Sequence, residues 1–147
     1  MSNEAVEILL VEDSPDDVAF LVRTFNKANL TARLHVVADG KEALDYIFCT
    51  GDYATRNNGN QPKVIFLDMK MPKVGGLEVL RRLKSDPTTQ SIPVVALSSS
   101  NEERDLIESY RYGVNSYIVK PMDFDQFAKT IRSMGQYWLE LNQTPKL

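Results

Sequence analysis

The chain has 147 residues, of which 43% are hydrophobic and 25% are charged, with a formal net charge of −3 at pH 7. These values are typical of a globular protein and give no electrostatic signal for nucleic-acid binding. The chain shows no signal peptide and no run of ~20 apolar residues for a membrane span. Its single cysteine, Cys49, fits a reducing compartment. We therefore expect a cytoplasmic location.

The first third of the chain predicts two strands, each followed by a helix. A strand at residues 8–11 leads into Glu12 and Asp13, and Ser14 and Pro15 have the pattern of a helix N-cap and first helical residue. This helix has an apolar stripe at i, i+3, i+4 and i+7, namely Val18, Leu21, Val22 and Phe25. A second strand is predicted at 33–37, and a helix that opens at Asp39 turns three residues inward: Leu44, Ile47 and Phe48.

Residues 50–63 are rich in glycine and asparagine and predict a loop. Loops of this length are uncommon inside a compact domain. We interpret the segment as a tolerated surface insertion, with a partner-binding loop as the alternative.

The rest of the chain repeats the strand and helix alternation. Strands are predicted at 64–67, 93–97 and 116–119. A third helix carries Leu77, Leu80 and Leu83 and ends at Asp86 and Pro87, and a fourth, ended by Gly113, carries Leu106, Ile107 and Tyr110. The last helix starts at Asp123, extends to about Leu141 and has an inward stripe of Phe124, Phe127, Ala128, Ile131 and Met134.

Five strands alternating with five helices indicate a (βα)5 protein of class α/β. The strands are apolar on both faces, which is typical of a doubly wound parallel sheet covered by helices on both sides. With no linker visible, we expect residues 1–147 to form a single domain.

Polar side chains stand at the carboxyl ends of four of these strands, where open parallel sheets bind their ligands. They are three carboxylates, a hydroxyl and an ammonium: Glu12, Asp13, Asp68, Ser98 and Lys120. The charges sum to −2, which one divalent cation would neutralise, and clustered carboxylate oxygens suit Mg²⁺. The hydroxyl and the lysine are donors suited to a phosphoryl group.

With these motifs the chain resembles the receiver domain of two-component response regulators, which has a flavodoxin-like fold. The resemblance rests on the acidic pair Glu12-Asp13, the segment from Asp68 to Pro72 with Gly76, the hydroxyl Ser98, and the pair Lys120-Pro121. Together these spacings are specific, although each motif alone is weak.

The resemblance implies a role for each site residue. Asp68 would be the phospho-acceptor, and Mg²⁺ would be bound by Asp13, Asp68, the backbone carbonyl of Lys70 and, through water, Glu12. Ser98 and Lys120 would contact the phosphoryl group, and Lys120-Pro121 would be a cis peptide bond. After phosphorylation Ser98 would move and Tyr117 would rotate inward as a switch.

The resemblance also implies partners. A sensor histidine kinase would donate the phosphoryl group, and the long middle loop and the C-terminal helix resemble regulators paired with phytochrome kinases. Because the chain ends soon after the last helix, we expect output through a downstream protein or phosphotransfer partner, with no nucleic acid and no membrane.

We also expect a homodimer built on helix four, strand five and helix five, with contacts from Tyr137, Trp138 and Leu141. The alternative is that this segment packs on its own domain.

Simpler interpretations remain open for single residues. Glu12 and Asp13 could simply be acids that lead into a helix N-terminus, where the helix dipole favours them. Ser98 could be a loop and N-cap residue, and Lys120 could be a surface charge. Tyr117 could be a packing residue of its strand. His35 is interpreted as structural.

Two other protein classes are disfavoured. Haloacid-dehalogenase-like phosphatases have a second aspartate where this chain has Lys70. A phosphorylation-independent pseudo-receiver would have lost acidic residues or the site lysine, here Lys120.

Overall fold

A computed structural model describes residues 6–30, 34–57, 60–71, 74–120, 123–143 and 145. It contains one five-stranded parallel sheet in the order β2-β1-β3-β4-β5. The strands are β1 (Ile8–Val11), β2 (Leu34–Val37), β3 (Val64–Asp68), β4 (Val94–Ser98) and β5 (Ser116–Val119). The helices are α1 (Pro15–Lys27), α2 (Gly40–Phe48), α3 (Gly76–Ser85), α4 (Glu103–Arg111) and α5 (Phe124–Gln136). The predicted α/β fold is therefore confirmed.

The hydrophobic core has two layers, one on each face of the sheet. Alternate residues of β1 point to opposite layers: Leu9 and Val11 lie in the layer under α2 and α3, while Ile8 and Leu10 lie in the layer under α1 and α5. The three central strands β1, β3 and β4 are buried along their whole length, whereas the edge strands β2 and β5 are only partly buried. Burial on both faces explains why the central strands are apolar up to their carboxyl ends.

Three predicted helix starts are confirmed by their capping bonds. Ser14 Oγ accepts a hydrogen bond from the Asp17 N–H, and an Asp39 oxygen accepts one from the Glu42 N–H. At α5, Asp123 Oδ1 accepts bonds from the N–H groups of residues 125 and 126. Each bond satisfies a backbone donor that the first helical turn leaves without a partner.

Residues 50–57 and 60–63 of the predicted loop make several contacts with α2. The loop begins with a short 3-10 helix, Gly51–Tyr53. Arg56 lies over the Tyr46 ring at 3.8 Å and donates a hydrogen bond to Cys49 Sγ, while Gln61 Nε2 donates to the Ile47 carbonyl at 2.8 Å. These contacts fasten the described part of the loop to α2.

His35 belongs to the same region, and its environment supports the structural interpretation. Its ring stacks on Tyr46 with centroids 4.6 Å apart, and Nε2 lies 3.0 Å from the Tyr53 hydroxyl. That hydroxyl donates to Glu42 Oε2 at 2.7 Å. Burial lowers the pKa of His35, so the neutral ring is favoured.

The pattern of α4 predicts a helix correctly but not its environment. Of the residues that mark it, Ile107 is 50% exposed and Tyr110 53% exposed, and Ser109 is its only buried residue. Phe124 of α5, predicted to face inward, is 62% exposed, and its ring lies tilted against Phe20 with centroids 5.2 Å apart. The prediction for Phe124 is therefore wrong, because its ring lies on the surface beside Phe20 of α1 and outside the core layer.

The C-terminal segment differs from the prediction in its helix type. The α-helix ends at Gln136, and Tyr137–Leu141 form one turn of π-helix. Trp138 and Leu139 pack on the α1 and α5 core layer, so the domain does have surface against which part of this segment is buried. Tyr137 and Leu141 remain exposed. Within the described residues, no helix is long and apolar enough to cross a membrane.

Candidate functional site

The strand register brings the predicted polar residues to one edge of the sheet. Val11 pairs with Leu67, so the next residues along the two strands, Glu12 and Asp68, are neighbours. On the other side of β3, Asp68 pairs with Leu97, and the Lys120 N–H donates to the Ser98 carbonyl at 2.7 Å. The predicted convergence of Glu12, Asp68, Ser98 and Lys120 therefore follows from parallel pairing alone.

Three carboxylates form a compact oxygen cluster at this edge. One oxygen each of Glu12, Asp13 and Asp68 lies within 4.8 Å of the others. Glu12 and Asp68 are buried, while Asp13 is exposed and gives the cluster an opening to solvent. Carboxylate oxygens from a partly open site are the donor set of a hard divalent cation, so the residues present fit such an ion.

Lys120 supplies the positive charge. Its Nζ lies 2.9 Å from Glu12 Oε1, 3.1 Å from Asp17 Oδ2 and 3.8 Å from Asp68 Oδ1. Burial alone lowers the pKa of Lys120, but the bond to Glu12 and the surrounding negative charges outweigh burial and raise it. The ammonium form is therefore the stable one at this edge.

Asp68 has the environment of a functional carboxyl. Burial, followed by the hydrogen bond and charge of Glu12, raises the pKa of Asp68 to about 7, although the Lys70 N–H and the charge of Lys120 oppose this rise. The Lys70 N–H donates to Asp68 Oδ1 at 3.1 Å. A cation bound at the cluster would favour the ionised carboxylate.

Gly76 allows the first turn of α3 to lie close against the end of β3. A Cβ built at Gly76 would lie 2.5 Å from Met69 Cα and 2.7 Å from the Asp68 carbonyl oxygen. Only glycine fits this approach without displacing the backbone of Asp68 and Met69. Pro72 and the predicted cis bond between Lys120 and Pro121 lie outside the described residues.

A hydrogen-bonded chain connects Ser98 to α4. Ser98 Oγ accepts from the Ser100 N–H at 3.1 Å, and Ser100 Oγ donates to Asp105 Oδ2 at 2.6 Å. The Tyr117 hydroxyl donates to the Ser100 carbonyl at 2.9 Å. Since α4 begins at Glu103, Ser98 is not its N-cap.

Tyr117 is half-buried and packs against the core layer on the α2 and α3 side. With Ser98 it lines a small cavity of about 120 Å³ between the end of β3 and α4. Its ring thus borders both the core layer and the cavity beside Ser98, and its rotation as a switch stays a prediction.

Sequence reasoning missed three polar residues around this site. Asp17 contacts Lys120, and Ser100 and Asp105 connect the loop after β4 to α4. Asp17 resembles an ordinary first-turn acid, and the other two resemble loop and surface residues. For Asp17 the sequence offered one signal, its position in the first turn of the helix that follows β1. A residue there lies near the carboxyl edge of the sheet and therefore near the site.

A family model for the response regulator receiver domain matches residues 8–132. The chain belongs to this family. Response regulator Rcp1 of Synechocystis sp. is 34% identical over 144 residues, which cover 98% of this chain and 96% of Rcp1. The predicted recognition of a response regulator receiver is confirmed.

Two solved structures agree with this assignment. The phosphorylated cyanobacterial phytochrome response regulator RcpA has a TM-score of 0.87 at 35% identity, covering 97% of this chain and 99% of RcpA. The Mn(2+)-bound form of Rcp1 has a TM-score of 0.85 at 33% identity, covering 94% and 97%. This receiver therefore resembles Rcp1 and RcpA, and receivers of its class interact with sensor histidine kinases and bind a divalent metal at the acidic edge.

Proposed function

We propose that Asp68 is the phospho-acceptor of this receiver. The observation that carries the proposal is the position of its buried carboxyl, which shares a 4.8 Å oxygen cluster with Glu12 and Asp13 and lies 3.8 Å from Lys120. A carboxylate attacks a phosphoryl group readily only when the negative charge on both is neutralised. At this edge Lys120 and a divalent cation held by the carboxylates would neutralise it.

In the transfer step, one Asp68 oxygen bonds to phosphorus as the P–N bond of the kinase phosphohistidine breaks, and the electron pair remains on the imidazole nitrogen. Lys120 and the Ser98 hydroxyl bind the phosphoryl oxygens. Asp13, Asp68, the Lys70 carbonyl and, through water, Glu12 would hold Mg²⁺. The bound Mg²⁺ would neutralise negative charge on the carboxylates and the phosphoryl oxygens.

The output of this reaction is a change in the α4 surface. The acyl phosphate formed on Asp68 carries about −2 charge and draws Ser98 toward it, which alters the bonds from Ser98 through Ser100 to Asp105 and Tyr117. A phytochrome-type histidine kinase is the proposed donor, by analogy with RcpA, and a downstream protein or phosphotransfer partner in the cytoplasm is the proposed receiver of the signal.

The protein itself is proposed as one receiver domain, extended by the last helical turn, that forms a homodimer. A second copy would cover the exposed apolar residues of α4, β5 and the C-terminal turn, namely Ile107, Tyr110, Val119, Tyr137 and Leu141. Trp138 would pack beneath this surface, against the domain's own core.

Sedimentation tests the dimer. Leu141→Ser should weaken it while Gln136→Ser should not, and a monomer in the unmodified protein would refute the dimer.

Acetyl phosphate with Mg²⁺ tests the phospho-acceptor directly. Intact-mass measurement should show one phosphoryl addition in the unmodified protein and in Asp52→Asn, an exposed control, but none in Asp68→Asn. Equal labelling of all three would refute Asp68, and no labelling of any would favour a phosphorylation-independent interaction module.

A further inference from the structure

Asp17 touches the site but has no part in the reaction described above. It is the third residue of α1, and its backbone N–H is bonded to the Ser14 cap. Its side chain is 43% exposed and turns toward the sheet edge, where Oδ2 accepts a hydrogen bond from Lys120 Nζ at 3.1 Å. A capped helix start is a stiff support, so this oxygen has a defined position.

The geometry at Lys120 shows what this contact can do. A lysine ammonium has three N–H donors. Glu12 and Asp17 accept at 2.9 and 3.1 Å, whereas Asp68 at 3.8 Å is beyond hydrogen-bonding distance. Two donors are therefore occupied by residues that do not react, and the third remains for the Asp68 side of the site.

We propose that Asp17 is a positioning residue that, with Glu12, holds the Lys120 ammonium so that its remaining N–H is directed to the phosphoryl group on Asp68. The inference rests on the proposed function of Asp68. A long lysine side chain has many rotamers, and two anchors from different elements remove most of that freedom before the phosphoryl donor arrives.

The neighbouring residue provides a matched control. Asp16 and Asp17 are both acids in the first turn of α1, where either one stabilises the positive end of the helix dipole. Among the described residues, Lys120 pairs with Asp17 and not with Asp16. A comparison of the two separates a contact with Lys120 from a general effect of charge at the helix start.

The first experiment measures the initial rate of phosphorylation by acetyl phosphate at saturating Mg²⁺. Asp17→Ala should lower the maximal rate about tenfold, with little change in the donor concentration for half-maximal rate, because a misplaced group reduces the reactive fraction. Asp17→Asn should recover most of the rate, since its amide oxygen still accepts a hydrogen bond. Asp16→Ala should match the unmodified protein, and equal losses in the two alanine variants would overturn the inference.

The second experiment needs neither metal nor phosphorylation. Carbon-13 NMR relaxation of the Lys120 Cε group in metal-free protein should show a lower order parameter in Asp17→Ala than in Asp16→Ala. Equal order parameters would overturn the positioning role. If the unmodified protein takes up no phosphoryl group, the proposed function of Asp68 fails, while this measurement still decides whether Asp17 holds Lys120.

Discussion

Helices α2 and α4 have the same length, nine residues each, but are attached to the sheet in different ways. Five residues of α2 are buried, from Gly40 to Ile47, whereas α4 buries only Ser109. In place of extensive apolar packing, α4 is connected to the site by the hydrogen bond from Ser100 Oγ to Asp105. The Tyr117 hydroxyl in turn donates to the Ser100 carbonyl. The difference teaches that a receiver can attach one helix by apolar burial and another mainly by polar bonds, and we propose that the second helix responds to chemistry at the sheet edge.

The largest expected effect comes from truncating one isoleucine in each helix. Ile47→Ala in α2 removes a buried side chain and should cost about 2–5 kcal/mol of unfolding free energy. Ile107→Ala in α4 removes a half-exposed one and should cost about 0.5 kcal/mol or less. Urea unfolding of both variants measures the costs, and similar values would remove the distinction between the helices.

The pH dependence of stability should also distinguish the two regions in metal-free protein. The pKa of Asp68 is raised to about 7, so the folded state binds this proton more tightly than the unfolded state. Its stabilisation is present at low pH and is lost as pH rises toward 7. His35, near α2, has a lowered pKa, so its contribution has the opposite sign and is lost as pH falls.

Urea unfolding at pH 5 and pH 8 tests these signs. Between pH 5 and pH 8 the unmodified protein should lose about 2–3 kcal/mol of stability through Asp68, because about two pH units separate pH 5 from the raised pKa. Asp68→Asn should remove this loss. His35→Phe, which keeps an aromatic ring beside Tyr46, should make the loss with rising pH larger. An unchanged slope in Asp68→Asn would contradict the raised pKa.

A smaller effect is expected from the bond that connects the loop after β4 to α4. Ser100→Ala removes the 2.6 Å bond to Asp105 and should destabilise α4 locally by about 1 kcal/mol. Faster amide hydrogen exchange in α4 but not in α2 is the expected result. Ser99→Ala, at an exposed neighbour, is the control, and equal exchange in the two variants would show that this bond does not hold α4.

The smallest expected effect concerns the lifetime of the phosphorylated form. Lys70 is exposed beside Asp68, the proposed acceptor, and borders the cavity shared with α4, where its cation would shield the acyl phosphate from water. Decay should be about two- to threefold faster in Lys70→Asn than in the unmodified protein. Lys41→Asn, on α2, should leave the decay rate unchanged, and slower decay in Lys70→Asn would contradict the shielding role.

The sheet and the residues at its edge were predictable because both depend on strand order. Continuous apolar runs indicated buried parallel strands, and the polar residues that follow them, such as Asp68 and Lys120, had to meet at one edge. The same periodicity could not show that Ile107 and Phe124 are exposed, because an apolar stripe indicates a helix face but not what covers it.

The side-chain partners at the site were harder to predict. The bond from Asp17 to Lys120 joins residues 103 positions apart and depends on the rotamer of a long side chain. The bonds of Ser100 depend on the path of an irregular loop. In the C-terminal segment, the prediction missed the turn of π-helix that places Trp138 on its own core.

Amide hydrogen exchange before and after phosphorylation tests the central claim, that chemistry at Asp68 changes α4 and leaves α2 alone. With acetyl phosphate and Mg²⁺, exchange in Glu103–Arg111 should change about tenfold while exchange in Gly40–Phe48 stays constant. In Asp68→Asn, exchange should stay constant in both helices. No change in α4 of the fully phosphorylated protein, or equal changes in both helices, would contradict the account.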